Sequence, residues 1–182
     1  MGITIPRRHA SAVAGTFGPL AVHRHEVVAA GAPYPVFTLE LADWISVAAI
    51  TDAGEFVLVR QHRHGVDAVT VETAGGIVDP GEEPAAAAPR ELLEETGYAA
   101  GSIESLGWVH PNPALQANRC FLYLARGARW VGEPLGDEHE STEAVVMSAD
   151  EVTAAMQDGR ISHVIAVVTL LRALAVATSA PR

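Results

Sequence analysis

Three glutamates crowd one short segment of the chain and could hold a metal ion. Glu91 follows Arg90 directly, and Glu94 and Glu95 come one helical turn later. At about 100° per residue, a helix would place them within about a third of its circumference. Like charges at these spacings repel by about 0.2–0.5 kcal/mol per pair, and a bound cation would remove that cost. Since an all-oxygen cluster suits a hard ion, the spacing indicates a site for Mg²⁺ or Mn²⁺ that also takes substrate phosphates.

A helix from Pro84 to Thr96 is predicted to carry these glutamates. Proline suits the first helical position, and Gly97 supplies the left-handed residue that ends a helix. Pro89 lies inside the helix, where it removes an amide donor and can cost about 3 kcal/mol. We therefore expect a kink immediately before Arg90, which would alter the geometry of the carboxylates.

Strands and helices are mixed along the rest of the chain. Short strands are expected within 20–41 and at 44–51, 55–60, 69–73, 103–109, 119–125 and 143–147. A capping box at 148–151 predicts a helix that ends at Gly159, and another helix is expected from Ser162 to about Ala177. This mixture predicts an α/β fold with a mixed sheet.

The composition limits the classes of protein to consider. The chain has 182 residues, most simply one domain, and a net charge of −10, which argues against a broad basic surface for nucleic acid. Its longest apolar run, 164–171, is far shorter than the about 20 residues that a membrane helix needs. Cys120 is the one cysteine, which excludes an internal disulfide; its place in a predicted strand favours a small buried hydrophobic residue.

The chain is expected to fall into three parts. Residues 1–43 would form an N-terminal arm with strands, 44–178 the main domain and 179–182 a tail. Arg7 and Arg8 superficially suggest an export signal, but no continuous apolar segment follows them. We therefore expect a loose arm before residue 20 and a cytoplasmic protein.

The glutamate segment resembles the Nudix box. The pattern includes every charged and glycine position of that signature: Gly76-x5-Glu82-x7-Arg90-Glu91-Leu92-x-Glu94-Glu95-x-Gly97-Tyr98. Tyr98 replaces the usual aliphatic residue. A solvated amphipathic helix with an Arg90–Glu94 pair is the plainer alternative. The resemblance implies a three-layer α/β/α sandwich with a mixed β-sheet, in which this loop and helix hold divalent ions.

The resemblance also implies roles for individual residues. Glu91, Glu95, the Gly75 carbonyl and Glu140 are the expected ligands of two or three Mg²⁺ ions, with Mn²⁺ as a possible substitute. Glu94 would be an additional or second-site ligand. A residue without a side chain at position 75 would let the backbone approach the ion closely.

A catalytic base and supporting groups are implied as well. Residues 137–140 resemble the acidic loop of the family, which makes Glu138 the candidate base and Glu94 the fallback; a solvated acidic turn is the alternative. Glu82 and Arg90 would form an ion pair that orients the neighbouring carboxylates, beside Gly76.

Within the family, the chain looks most like the ADP-ribose and nucleotide-sugar pyrophosphatases. Residues 58–63 resemble their strand ending in Gln-x-Arg, which makes Arg63 a candidate contact for a substrate phosphate. Residues 72–76 resemble their Glu-Leu-Pro-Ala-Gly segment, with Thr73 in place of proline. Pro113 lies where a proline tends to mark ADP-ribose hydrolases. Arg119 is a weaker candidate than Arg63 for a substrate contact. The polar loop 110–118 could recognise a sugar or a base.

The expected function is Mg²⁺-dependent hydrolysis of a nucleoside diphosphate-linked small molecule, with ADP-ribose as the first substrate. Another nucleotide sugar or dinucleotide, such as GDP-mannose or NADH, is the alternative substrate. A non-hydrolytic module that senses a nucleotide is the alternative function. The resemblance further implies a homodimer in which the N-terminal strands take part. The acidic net charge and the short apolar runs predict no nucleic-acid or membrane partner.

Overall fold

The computed structural model describes residues 2–135 and 142–179, with side chains through residue 177. The contacts divide the chain into two units. Unit 1 contains Met1–Ala42 and His110–Arg119, and unit 2 contains Asp43–Val109 and Cys120–Arg182. The first boundary lies one residue from the one expected at 43/44, whereas the membership of His110–Arg119 in unit 1 was not expected.

Unit 1 is built on a three-stranded antiparallel sheet in the order β1-β2-β3. Its strands are β1 (Arg7–Phe17), β2 (Leu20–Val28) and β3 (Tyr34–Glu40). The expectation of a loose arm before residue 20 was wrong, because β1 pairs with β2 along its length. The side chains of β1 are almost all exposed, so its sequence lacks the alternation of apolar and polar residues that marks a half-buried strand.

The loop at 110–119 belongs to unit 1 through backbone contacts. The Leu39 N–H donates to the Leu115 carbonyl at 2.7 Å, which attaches the loop to β3. The Asn118 side-chain amide donates to the Ala42 carbonyl at 2.9 Å.

Unit 2 contains one mixed sheet. Its strands are β4 (Trp44–Thr51), β5 (Phe56–Arg63), β6 (Ala68–Glu72), β7 (Tyr98–Ala99), β8 (Ser102–Val109), β9 (Cys120–Trp130) and β10 (Thr142–Met147). The main path runs β10-β5-β4-β9-β7, with β6 on β5 and β8 on β9. The pair β4–β9 is parallel and the other pairs are antiparallel. The predicted α/β fold with a mixed sheet is confirmed.

Helices cover both faces of this sheet. The helices are α1 (Pro84–Thr96), α2 (Ala149–Asp158) and α3 (Val164–Ser179). Val47 and Val59 pack with Leu92 of α1 in one core. Leu58 packs with Val152 of α2 and with α3 in the core on the other face. Because side chains alternate along a strand, β4 and β5 contribute to both cores, which explains their continuous burial.

The bounds of α1 are those predicted from the sequence. Pro84 stands at the start, and Gly97 ends the helix in the left-handed region with φ 71°. A side chain at position 97 would also overlap the Gly132 carbonyl, so the position needs glycine for two reasons. The helix is continuous across Pro89.

The capping box is also confirmed at the start of α2. Ser148 accepts from the Glu151 N–H, and the Glu151 carboxylate accepts from the Ser148 N–H. Within the described residues, no helix is both long and apolar enough to cross a membrane.

Candidate functional site

The segment between β6 and α1 runs along β4 and is held by backbone hydrogen bonds. Val47 N–H donates to the Ala74 carbonyl at 2.8 Å, and Ile45 N–H donates to the Gly76 carbonyl at 2.9 Å. A Cβ at Gly75 would overlap the Ile45 carbonyl. Glycine at position 75 therefore allows two backbones to approach each other closely.

Two carboxylates of α1 converge on this segment. Glu95, which is 7% exposed, accepts a hydrogen bond from the Gly75 N–H at 2.8 Å. The Glu91 carboxylate occupies the space that a Cβ at Gly76 would fill. The two carboxylates expected to bind metal thus contact two adjacent glycines, in the segment that runs along β4.

Arg90 connects the acidic groups of the segment. Its Nε and Nη2 donate to both carboxylate oxygens of Glu82, at 3.0 and 2.8 Å. Its Nη1 donates to Glu91 at 2.9 Å and to Glu94 at 3.1 Å. The hydrogen bonds from Arg90 lower the pKa of Glu82, and those same bonds raise the pKa of Arg90. The expected Glu82–Arg90 ion pair is therefore present, and it reaches the site through Glu91.

The donor set of the site suits a hard divalent cation. The expected ligands, Glu91, Glu95 and the Gly75 carbonyl, would supply only oxygen atoms, which is the chemistry that Mg²⁺ prefers. Among residues 2–135 and 142–179, no three His, Cys, Asp or Glu side chains are grouped to hold a metal ion. The two other acidic residues predicted for the site, Glu138 and Glu140, lie outside the described residues.

A second charged cluster surrounds Glu72, whose side chain is 2% exposed. Arg63 donates to both of its oxygens, at 3.0 and 2.8 Å. Thr70 donates to it at 2.6 Å, and His163 Nδ1 lies 2.7 Å away. Burial alone would raise the pKa of Glu72, but the hydrogen bonds from His163, Arg63 and Thr70 together hold that pKa well below its usual range.

Buried hydroxyl groups tie α3 to the strand beside the site. Thr169 donates to the Ile165 carbonyl, so its oxygen accepts from Ser46 at 2.8 Å. Ser46 in turn accepts from Thr73 at 2.7 Å. Thr73 stands where the family resemblance predicts proline, and its hydroxyl completes this chain of hydrogen bonds. The substitution therefore has a structural explanation.

One cavity of about 1300 Å³ in unit 2 brings most of these groups together. Gly75, Glu91 and Glu95 line it, as do Arg63 and Glu72. The predicted phosphate contact, Arg63, and the three predicted metal ligands that the structure describes therefore share one cavity. Glu94, which the sequence also predicted as a site residue, contacts Arg90 and is half-exposed.

Three other residues were singled out in the sequence. Pro113 and Arg119 belong to unit 1 and not to the unit that contains the carboxylates. Cys120 is buried, and burial followed by the charge of Asp43 raises the pKa of its thiol to about 12. Its expected character as a small buried hydrophobic residue is confirmed.

Sequence reasoning assigned no role to two residues of the Glu72 cluster. Glu72 enters the sequence analysis only as part of a family-like segment, and no contact or role is predicted for His163. A charged residue at the end of an otherwise β-forming stretch was the available signal for Glu72. For His163 there was none, because its contact with Glu72 joins distant parts of the chain.

The fold, the convergent carboxylates and the arginine beside them define a Nudix site. The sequence profile of the NUDIX domain matches residues 43–167, which is more than half of the chain. The chain therefore belongs to the Nudix family.

Several known proteins resemble this chain. The methanol dehydrogenase activator of Bacillus methanolicus is 32% identical over 118 residues, which are 64% of this chain and 64% of that protein. The ADP-ribose pyrophosphatase of Bacillus subtilis (strain 168) is 31% identical over 108 residues, 59% of this chain and 58% of that protein. The chain thus spans less than two thirds of the length of these relatives.

A solved structure supports the same fold. The crystal structure of an ADP compounds hydrolase superposes with a TM-score of 0.81 over 94% of each chain, at 20% identity. At that identity the likeness shows the fold alone.

Replacement of Glu72 by glutamine should lower the free energy of unfolding by about 2 kcal/mol at pH 7, because Arg63 and His163 lose a charged partner. The pKa of Glu72 is lowered in the folded state. The carboxylate therefore contributes fully to the free energy of unfolding above its ordinary pKa of about 4.3, and this contribution is progressively lost as the pH falls below that value. Urea unfolding from pH 7 to pH 3 should show the difference between variant and wild type shrinking. Glu143→Gln, which breaks the exposed pair with Arg60, should have a much smaller effect. A pH-independent difference would contradict the ion-pair explanation.

Replacement of Gly76 by alanine should displace the Glu91 carboxylate, because the new methyl group would occupy its position. We expect affinity for Mn²⁺ to fall by about tenfold or more, since misplaced ligands typically cost 10–100-fold. Electron paramagnetic resonance of added Mn²⁺ measures this directly. Gly132→Ala is the matched control, because a Cβ there meets open space. Unchanged Mn²⁺ affinity in Gly76→Ala would remove Glu91 from the proposed metal site.

Proposed function

We propose that the protein is a Mg²⁺-dependent pyrophosphohydrolase that cleaves the diphosphate of ADP-ribose or of a related nucleotide sugar. The observation that carries the proposal is the convergence of Glu91 and Glu95 on Gly75 and Gly76 in a cavity that also contains Arg63. The products would be a nucleoside monophosphate and a sugar phosphate, which are AMP and ribose 5-phosphate for ADP-ribose.

Different residues would have different roles in the reaction. Glu91, Glu95 and the Gly75 carbonyl would hold Mg²⁺, together with Glu140. When bound, the ion would supply positive charge for the phosphoryl oxygens and acidify water. Arg90 and Glu82 keep Glu91 in position by their mutual hydrogen bonds.

The chemical step is displacement at phosphorus. Water attacks one phosphorus of the diphosphate, the bond from that phosphorus to the bridging oxygen breaks, and the bridging oxygen leaves with the other phosphate. Glu138 is the proposed base that takes the proton from the water, with Glu94 as the fallback. Arg63 would give a charge-assisted hydrogen bond to a phosphate oxygen while its Nε and Nη2 stay on Glu72.

The choice of substrate rests on similarity. The resemblance to ADP-ribose pyrophosphatases favours ADP-ribose, and the proposal for another nucleotide sugar or dinucleotide keeps the same chemistry. A non-hydrolytic nucleotide sensor remains the competing function. The continuity of α1 across Pro89, with both carboxylates reaching the glycines, favours hydrolysis over the sensor.

The first test is release of phosphate monoester from ADP-ribose, GDP-mannose and NADH, with Mg²⁺ and with EDTA. We expect Mg²⁺-dependent production of AMP from ADP-ribose. Glu95→Gln should lower kcat by at least about a hundredfold, because a ligand at the centre of charge stabilisation is lost, while circular dichroism stays unchanged. Near-wild-type turnover in this variant would remove Glu95 from the site. No turnover of any compound by the wild type would favour the sensor.

The assembly proposed is a cytoplasmic homodimer that uses the sheet of unit 1. Exposed apolar side chains on this unit include Val13, Phe17 and Phe37. We expect a dimer by light scattering after gel filtration, and Phe37→Glu should shift it toward a monomer. Trp130→Glu, at an exposed aromatic residue of unit 2, should leave the dimer intact. A wild-type monomer at working concentration would contradict this proposal.

A further inference from the structure

Gln61 lines the cavity and has a buried amide donor with no acceptor among the described residues. Its side chain is 7% exposed, and its Nε2 is buried without a hydrogen-bond partner among the described residues. The residue lies in β5 and lines the same cavity as Glu91 and Glu95. A buried amide without a partner carries its full desolvation cost, so a native structure needs a reason to keep it.

The strand register places Gln61 between the two charged parts of the site. Gln61 and Arg63 are two residues apart on β5, so their side chains leave the same face of the strand. Thr142 lies opposite Gln61 on β10, and its hydroxyl donates to the Glu95 carbonyl at 3.1 Å. Residues directly opposite in an antiparallel pair share a face. Gln61 therefore stands between the arginine and the metal-binding helix.

The arginines of the cavity already have carboxylate partners. Arg63 contacts Glu72, Arg60 contacts Glu143, and Arg160 contacts Asp158. The amide of Gln61 differs from them, because its donor has no acceptor in the described part of the chain. A ligand that brings acceptor oxygens into the cavity would satisfy it.

We propose that the Gln61 amide donates a hydrogen bond to a non-bridging phosphoryl oxygen of the bound diphosphate, and so acts as a substrate-binding residue between Arg63 and Glu95. This inference rests on the proposed function, which supplies the diphosphate. A neutral donor suits the position for a physical reason. A cation at residue 61 would pair with the nearby carboxylates, as Arg63 does with Glu72, and would neutralise the charge that binds Mg²⁺.

The amide itself can be observed without catalysis. The chain has three glutamines and two asparagines, so a ¹⁵N spectrum contains few side-chain amide signals, and Gln61→Met identifies that of Gln61. The probe is methylenediphosphonate, whose P–C–P bridge is not hydrolysed, added with Mg²⁺. We expect the Gln61 amide protons to shift downfield on titration while those of exposed Gln157 stay in place.

Variants then measure the contribution of the donor. Gln61→Met keeps the length of the side chain and removes the amide, and affinity for methylenediphosphonate with Mg²⁺ should fall about ten- to hundredfold, the range for a hydrogen bond to a charged group. Gln61→Glu, which replaces donors by acceptors, should bind more weakly still. The midpoint of urea unfolding should not fall in Gln61→Met, since no internal hydrogen bond is lost. Gln157→Met is the matched control and should leave affinity unchanged.

The outcomes separate this inference from the proposed function. Wild-type affinity in Gln61→Met, or a Gln61 signal that does not move, would overturn the inference while turnover of a nucleotide sugar keeps the function. A lower unfolding midpoint with unchanged affinity would assign the amide to the fold and also overturn it. If no nucleotide sugar is hydrolysed but the Gln61 signal shifts with the diphosphate probe, the hydrogen bond is supported and the hydrolase proposal fails.

Discussion

The close approach of two carboxylates to a glycine backbone is the constraint on which the rest of the site depends. Glu91 reaches Gly76 because that position has no side chain, and the absence of a side chain at Gly75 lets the backbone that donates to Glu95 lie against Ile45. The carbonyls of Ala74 and Gly76, on either side of Gly75, accept hydrogen bonds from β4, whose central residues are buried. The fold therefore fixes the position of the backbone segment that the two carboxylates contact. Repulsion between Glu91 and the neighbouring Glu94 is reduced because both accept from Arg90, even before a metal ion is considered.

The two charged clusters solve the same problem by different means. Around Arg90, one cation serves several partly exposed carboxylates. Around Glu72, one buried carboxylate receives Arg63, His163 and Thr70. A buried charge is tolerated only when it is paired and hydrogen-bonded, and both clusters meet that condition. Because Glu72 contacts β5 and the chain just before α3, its pairing also connects elements that form the wall of the cavity.

The sequence predicted the features that depend on residues close together along the chain. The bounds of α1 follow from Pro84 and Gly97, and the start of α2 follows from Ser148 and Glu151, so both were predicted correctly. The mixed sheet also followed from the order of elements. Contacts across the sheet could not be read in this way. No local pattern links His163 to Glu72 or assigns residues 110–119 to unit 1. Nor does one reveal that the Nε2 of Gln61 is buried without a partner among the described residues. Strand β1 was missed because its exposed, small residues lack a periodic pattern.

Cys120 has a practical consequence for spectroscopy on this protein. Its thiol is the one thiol of the chain, is 1% exposed and has a pKa of about 12, so almost none of it is thiolate near neutral pH. Maleimide dyes and nitroxide spin labels react with thiolate. A cysteine engineered on the surface would therefore take the label with the native residue left in place. Distances between fluorophores or spins could then be followed in a chain whose interior packing has not been altered.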